Sequence, residues 1–156
     1  MSEEKIRVLV VSYLPWRNDV SVGNTLSNIF DGMQDKIEFS NIYFKGGKPQ
    51  NNVAQKYFYI PEKELAKSIL TRKSVGRKVF LDSVSDNNAT ENNGAYNKAR
   101  QLRWESLLLA QDMIGIWGKW HSKELDSFIE EIKPQLIFGP LGRVPASNIL
   151  MSYLHD

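Results

Sequence analysis

The sequence predicts an α/β fold, a parallel sheet with helices on both faces in a single domain, and three observations carry that expectation. Lys5–Ser12 is a β-branched run with almost no polar interruption, the pattern of a strand buried on both faces. Leu26, Ile29, Phe30 and Met33 then recur at three- and four-residue spacing, the period of one helical face. Lys36–Phe44 alternates apolar and polar residues and stops at Gly46-Gly47, which reads as a second strand. Strand, helix and strand in that order form a crossover unit, right-handed almost without exception, with its helix on one face of a parallel pair.

Composition narrows the function classes. At 156 residues the chain has the length of one domain able to bury a core. It contains no Cys, so disulfides, thiol catalysis and thiolate metal sites are excluded. With His121 and His155 its only histidines, a histidine-rich metal site is excluded too, and carboxylate-held magnesium is the one metal option left. A net charge of +2 is too small to argue for nucleic acid. Met1-Ser-Glu-Glu-Lys5 runs straight into the first strand, and no apolar stretch has signal or spanning length, so a cytoplasmic location is expected.

The loop after the first strand is the first candidate site. In open α/β sheets, ligands sit outside the carboxyl ends of the strands, where a helix N-terminus offers N–H groups to anions. Gly23 would let a phosphate or sugar approach the backbone, or would simply make the turn. Thr25, with Asn24 as its competitor, is the expected N-cap of the helix. Arg17 and Asp19 are either contacts for acceptor hydroxyls or solvated loop residues.

The remaining elements follow in order. The second strand is expected nearer the sheet edge, and Tyr57–Ile60 is a short third strand. Pro61 suits the first turn of a helix, with Glu62 and Glu64 near its positive end and Leu65, Ala66, Ile69 and Leu70 on its buried side. Arg72, Lys73, Arg77 and Lys78, broken by Gly76, form either a solvated face or a contact for an anionic membrane or phosphorylated substrate. Residues 82–97, rich in Asn and Ser, are expected to be a mobile binding loop or lid.

Lys98–Trp120 is the longest helical pattern. Leu102, Leu109, Met113, Ile116 and Trp120 form a stripe, widened by Leu108 and Trp117 and expected in the core, while Gly115 and Gly118 mark a bend or the close approach of another backbone. Ser122 caps a further helix through Leu125, Phe128, Ile129 and Ile132, which must stop before Pro134. Gln135–Gly139 is a strand, followed by a second strand-end loop to Pro145 and a last helix from Ala146 to Leu154. In a parallel sheet both loops open on one edge, so Gly139, Gly142 and Arg143 are expected to face the same crevice as Gly23.

Ser12-Tyr13-Leu14-Pro15, Gly23-Asn24-Thr25 and the passage Lys133-Pro134 to Phe138-Gly139-Pro140 together resemble the N-terminal domain of a glycosyltransferase of the two-Rossmann-domain (GT-B) type. The similarity is greatest to family 4, the retaining, nucleotide-sugar-dependent enzymes that include builders of bacterial cell-surface polysaccharides. Where family 4 commonly has a Gly-Gly pair, this chain has Val22-Gly23, and where many members carry a histidine it has Gly139-Pro-Leu-Gly142.

The resemblance implies a Rossmann-like domain that is an incomplete fragment of a two-domain enzyme, holding the acceptor-side half. It implies a C-terminal partner domain that binds the nucleotide-sugar donor, a glycan or lipid-linked acceptor, and no cofactor in the fragment itself. It also implies inactivity of the fragment alone. The alternative is a non-catalytic α/β domain that binds a partner protein or an anionic surface through residues 63–78 and 98–103.

Overall fold

The computed structural model describes residues 4–19, 21–81, 105–139 and 145–155. The expected loop at 82–97, the segment 98–104, and Gly142 and Arg143 lie outside the described residues. Five strands form one sheet: β1 (Ile6–Ser12), β2 (Ile37–Tyr43), β3 (Ala54–Tyr59), β4 (Arg77–Val79) and β5 (Leu136–Phe138), in the spatial order β4-β3-β2-β1-β5. The described helices are α1 (Ser21–Phe30), α2 (Glu62–Thr71), α3 (Glu105–Trp117), α4 (Lys123–Ile132) and α5 (Pro145–His155).

β1 pairs in parallel with β2 on one side and β5 on the other, and β2 with β3. The expected helices on both faces are present. Val8 and Val10 pack with Phe39, Trp16 and Leu26 of α1, whereas Leu9 and Val11 pack with Leu65 of α2, Leu125 and Phe128 of α4 and Leu150 of α5. The two-residue period of β1 therefore feeds two separate cores, which is why the strand reads as continuously apolar.

Several expectations need correction. The sheet is not wholly parallel, because β4 runs antiparallel to β3. Arg72 closes α2 in a left-handed conformation (φ 56°), and Gly76 (φ +124°) folds the chain back so closely that a Cβ there would lie 2.5 Å from the Phe58 ring. β2 is central rather than near the edge. Its polar residues Ser40 and Asn41 are buried, and Asn41 earns its place by bonding to β1. β3 begins at Ala54, three residues before the aromatic run.

Helices depart from expectation where a small residue decides the contact face. α1 starts at Ser21, so Asn24 and Thr25 lie inside it, neither is an N-cap, and the Thr25 hydroxyl donates back to the Ser21 carbonyl (2.8 Å). In α2, Ser68 rather than Leu70 is buried, and Leu70 is 88% exposed. Of the expected core stripe Trp120 packs against the core, but Leu109, Met113, Ile116 and Trp117 are exposed while Gly115 and Gly118 are buried, and the side chains of Leu102 and Leu108 lie outside the described residues. A Cβ at Gly118 would sit 2.4 Å from Leu65, so α3 approaches α2 through its glycine side and turns its apolar side away. α4 follows the expectation closely, with the Ser122 hydroxyl accepting from the Leu125 N–H (3.1 Å) and a left-handed Lys133 ending it before Pro134.

Candidate functional site

The strand order reverses between β1 and β5, the place in an open α/β sheet where the connections diverge and a crevice opens. At the carboxyl edge, β1 ends at Ser12 and is followed by Tyr13, β2 at Tyr43 followed by Phe44 and Lys45, β3 at Tyr59 followed by Ile60, and β5 at Phe138 followed by Gly139. The loop leaving β1 is the wall of this edge.

That loop is held by an aromatic anchor. Trp16 is buried against Phe30 and Phe39, and its indole N–H donates to Ser27 Oγ of α1 (2.9 Å), whose hydroxyl in turn donates to Asn18 Oδ1. The loop is also zipped to the segment between β2 and β3. Asn18 N–H donates to the Gln50 carbonyl (3.0 Å), Gln50 N–H to the Trp16 carbonyl (2.9 Å), and Asn51 Nδ2 to the same Trp16 carbonyl (2.9 Å). Asn51 also donates to the Tyr57 hydroxyl, whose acidity burial lowers, pushing its pKa up to about 12. Nearer the sheet, the Phe44 and Lys45 N–H groups both donate to the Tyr13 carbonyl, and the Tyr13 hydroxyl donates to Glu62 Oε2 (3.0 Å) at the start of α2. The loop after β1 is thereby tied to β2, β3 and α2.

Below the loop lies a polar side chain that reading the sequence alone misses. Asn41 is fully buried, and its Nδ2 donates to the Val10 carbonyl (3.0 Å), to Ser12 Oγ (2.9 Å) and to the Ile42 carbonyl (3.3 Å). Three acceptors around one nitrogen settle which way the amide points, since the reversed amide would set oxygen against oxygen. Ser12 Oγ passes the chain of bonds on to the Leu14 carbonyl (2.7 Å). Asn41 Oδ1 has no hydrogen-bond partner despite its burial. The signal in the sequence is a polar Ser40-Asn41 pair in the middle of a strand, where an apolar residue is the ordinary choice.

The candidate site residues fall into three groups. Arg17 and Asp19 face each other in a two-pronged ion pair, Arg17 Nε donating to Asp19 Oδ1 (2.8 Å) and Nη2 to Oδ2, and this pairing holds the Asp19 carboxyl below its ordinary pKa. Gly23 sits in the first turn of α1 directly beneath the Arg17 backbone. A Cβ there would be 2.0 Å from the Arg17 carbonyl oxygen, so an internal neighbour occupies the space that the missing side chain leaves. Asn24 and Thr25 are exposed on α1. Gly139 is at the end of β5, where a Cβ would be 2.6 Å from Met151 Sδ and 3.2 Å from the Val11 carbonyl, so close packing on α5 and β1 accounts for this glycine as well.

No family model, curated protein or solved structure matches the chain.

The basic residues divide evenly. Arg77 donates to Glu64 Oε1 (3.0 Å) and lies over the Tyr59 ring at 5.2 Å, and Lys78 donates to Glu131 Oε2 (2.6 Å). Lys56 stands 3.6 Å from the same Glu131, and these cations hold its carboxyl below the ordinary value, the Lys78 hydrogen bond most of all. Arg72 and Lys73 are exposed at the turn after α2. Among the described residues no cluster of three His, Cys, Asp or Glu side chains is arranged to hold a metal ion. What the edge offers chemically is hydrogen bonding: paired Arg17 and Asp19, Lys45, Glu62, the Tyr13 hydroxyl, and the N-terminal turn of α1.

Proposed function

We propose that this chain is the acceptor-side half of a glycosyltransferase that moves a sugar from a nucleotide-sugar donor to a glycan or lipid-linked acceptor, working from the cytoplasm. The observation that carries the reading is the reversal of strand order between β1 and β5, with a tethered loop after β1 whose groups donate and accept hydrogen bonds. A sugar presents vicinal hydroxyls, each both donor and acceptor, and Arg17 beside Asp19 offers matched donors and acceptors to such a group. Among the described residues β5 pairs on one side alone, with β1, which supports a larger sheet. Leu136 and Phe138 are exposed there, and α5 packs on the face opposite α1, so that a right-handed crossover after α5 lands beside β5. The nucleotide and the charge that develops on it belong to the proposed second domain, with the α1 N-terminus an auxiliary donor. Among the described residues no helix is long and apolar enough to cross a membrane.

The test has two arms. The purified 156-residue chain should neither transfer sugar nor hydrolyse nucleotide sugars above a blank preparation. In amide-detected NMR titration with short glycans, the shifts should cluster at Ser12–Asp19, Lys45 and Glu62, and Asp19→Ala should remove them. Turnover by the chain alone refutes the half-enzyme reading, and shifts confined to other surfaces refute the acceptor site. The alternative, a non-catalytic domain that binds an anionic surface, is favoured by one observation, the exposed Arg72 and Lys73 beside the exposed Leu70.

A further inference from the structure

Where α5 meets the start of α4, three polar side chains close on one another. The Tyr153 hydroxyl of α5 donates to Asp126 Oδ1 (3.0 Å), and His121 Nε2 lies 2.9 Å from that hydroxyl and 3.0 Å from the same carboxylate oxygen. The triangle has more close contacts than it has hydrogens. A ring nitrogen and a phenol carry at most one hydrogen each and a carboxylate carries none, so two hydrogens serve three pairs. Three atoms with lone pairs thus crowd together, and one pair among them has no hydrogen of its own. A cation shared among them satisfies all three at once.

The surrounding structure sets these atoms in place. Asp126 lies in the first turn of α4, where its N–H donates to the Ser122 carbonyl (3.0 Å), and His121 directly precedes the Ser122 cap. Tyr153 is held from the other side. Its ring meets Trp120 edge-on at 5.3 Å, Trp120 packs against the core, and α5 is seated in that core by the buried Leu150. The His121 and Asp126 side chains are 56% and 43% exposed and Tyr153 is 38% exposed, so an ion reaches the three from solvent. One histidine and one carboxylate fall short of a metal set by themselves. The phenol completes it, and it comes from 27 positions beyond Asp126, outside any local spacing.

We propose that His121, Asp126 and Tyr153 form a binding site for a divalent transition-metal ion of the zinc and copper class, with a fourth position open to water. An imidazole nitrogen beside two oxygens suits these ions, whereas magnesium demands an octahedral shell of oxygens. Donors about 2.0–2.2 Å from a tetrahedral zinc stand roughly 3.3–3.6 Å apart, so the triangle has to widen by only about 0.5 Å. On binding, the imidazole keeps its one hydrogen on Nδ1 and the phenol gives its proton to solvent, so the ion meets an imidazole, a carboxylate and a phenolate. The bound ion crosslinks α4 and α5. The site shares no residue with the proposed acceptor site, and either can fail without the other.

The test starts with Zn2+ titrated into the 156-residue chain by calorimetry, which should show binding of one ion per chain. Thermal unfolding should shift upward with Zn2+ and stay unchanged with Mg2+ at the same concentration. Cu2+ supplies the signature of the phenolate: its complex should absorb in the visible through phenolate-to-metal charge transfer, and Tyr153→Phe, which keeps the ring against Trp120, should abolish that band. Losing a partner one shell out from a metal already costs about 10–100-fold in affinity, so His121→Gln, Asp126→Asn and Tyr153→Phe should each weaken Zn2+ at least about tenfold. These variants also lose hydrogen bonds between α4 and α5, so each is judged by its metal-induced shift rather than by its starting Tm. His155→Ala, which removes the other histidine of the chain, should bind as wild type does. The proposal is overturned if Zn2+ does not bind, if Mg2+ stabilises the chain as much as Zn2+, or if binding survives His121→Gln or is removed by His155→Ala. A visible Cu2+ band that persists in Tyr153→Phe overturns it as well.

Discussion

Gly23 and Asn41 show how single residues shape the carboxyl edge of the sheet. Alanine at position 23 would drive a Cβ into the Arg17 carbonyl at 2.0 Å, and because the clash is with backbone, no rotamer relieves it. We expect Gly23→Ala to cost on the order of 1–3 kcal/mol or more, the usual range for overpacking. Asn24→Ala, exposed on the same helix, should stay within about 0.5 kcal/mol of wild type. Urea unfolding of the two variants reads the difference, and equal stability would remove the contact from the account. Asn41 invites a sharper experiment with Asn41→Asp. The buried carboxyl would face the Val10 and Ile42 carbonyls, so it would stay protonated in the folded protein well above the ordinary carboxylate pKa. Above that ordinary value the unfolded state has released its proton and the folded state has not, so stability falls as pH rises, by about 1.4 kcal/mol per unit. Unfolding at pH 5 and pH 7 should therefore differ by roughly 3 kcal/mol more in the variant than in wild type. A variant with the pH dependence of wild type would show that water reaches this site.

Pairs of elements are joined by contacts of very unequal worth. α3 meets α2 through Gly118 against Leu65, and Ser68 Oγ accepts from the Lys119 N–H (2.8 Å), so backbone and small residues make that joint. β4 meets α4 through Lys78 and Glu131, which are exposed enough for water to screen them. Glu131 is held below its ordinary pKa, so its contribution is present at neutral pH, above the unfolded carboxylate value, and is lost as pH falls through the folded value. Because the pair is exposed, we expect only a few tenths of a kcal/mol from it, about 0.5 at most. Glu131→Gln should thus be slightly less stable than wild type at pH 7 and indistinguishable at pH 3. A large loss at pH 7 would mean that the pair is better shielded than its exposure indicates.

For the molecule as a whole, the two edges of the sheet differ. β4 at one edge is three residues long, antiparallel, and carries Arg77 and Lys78, devices that discourage further pairing. β5 at the other edge carries Leu136 at 56% and Phe138 at 37% exposure and no charge. We expect the 156-residue chain to self-associate through this edge as concentration rises, and Leu136→Lys to suppress the association while changing stability by less than about 0.5 kcal/mol. Light scattering over a concentration series separates the outcomes, and association unchanged in Leu136→Lys would direct attention to the α3 face instead.

Local pattern determined a good deal of this protein. The strand at Lys5–Ser12, the crossover to β2, the Ser122 cap, the stop before Pro134 and helices on both faces were legible because each depends on periodicity or on groups a few residues apart in the chain. Only the tertiary structure decided the rest. Sequence marks Leu109, Met113 and Ile116 as apolar, but a helix with glycines on one side and leucines on the other can dock by either, and Leu65 lies some fifty positions away in the chain. Gly23 reads as open to a ligand until Arg17 is seen lying across it, and the central place of β2 depends on an Asn41 amide that satisfies β1 carbonyls from a position where polar residues are ordinarily a cost. In each case the physical reason is the same: which neighbour fills a space is a long-range property, and no local period of the chain encodes it.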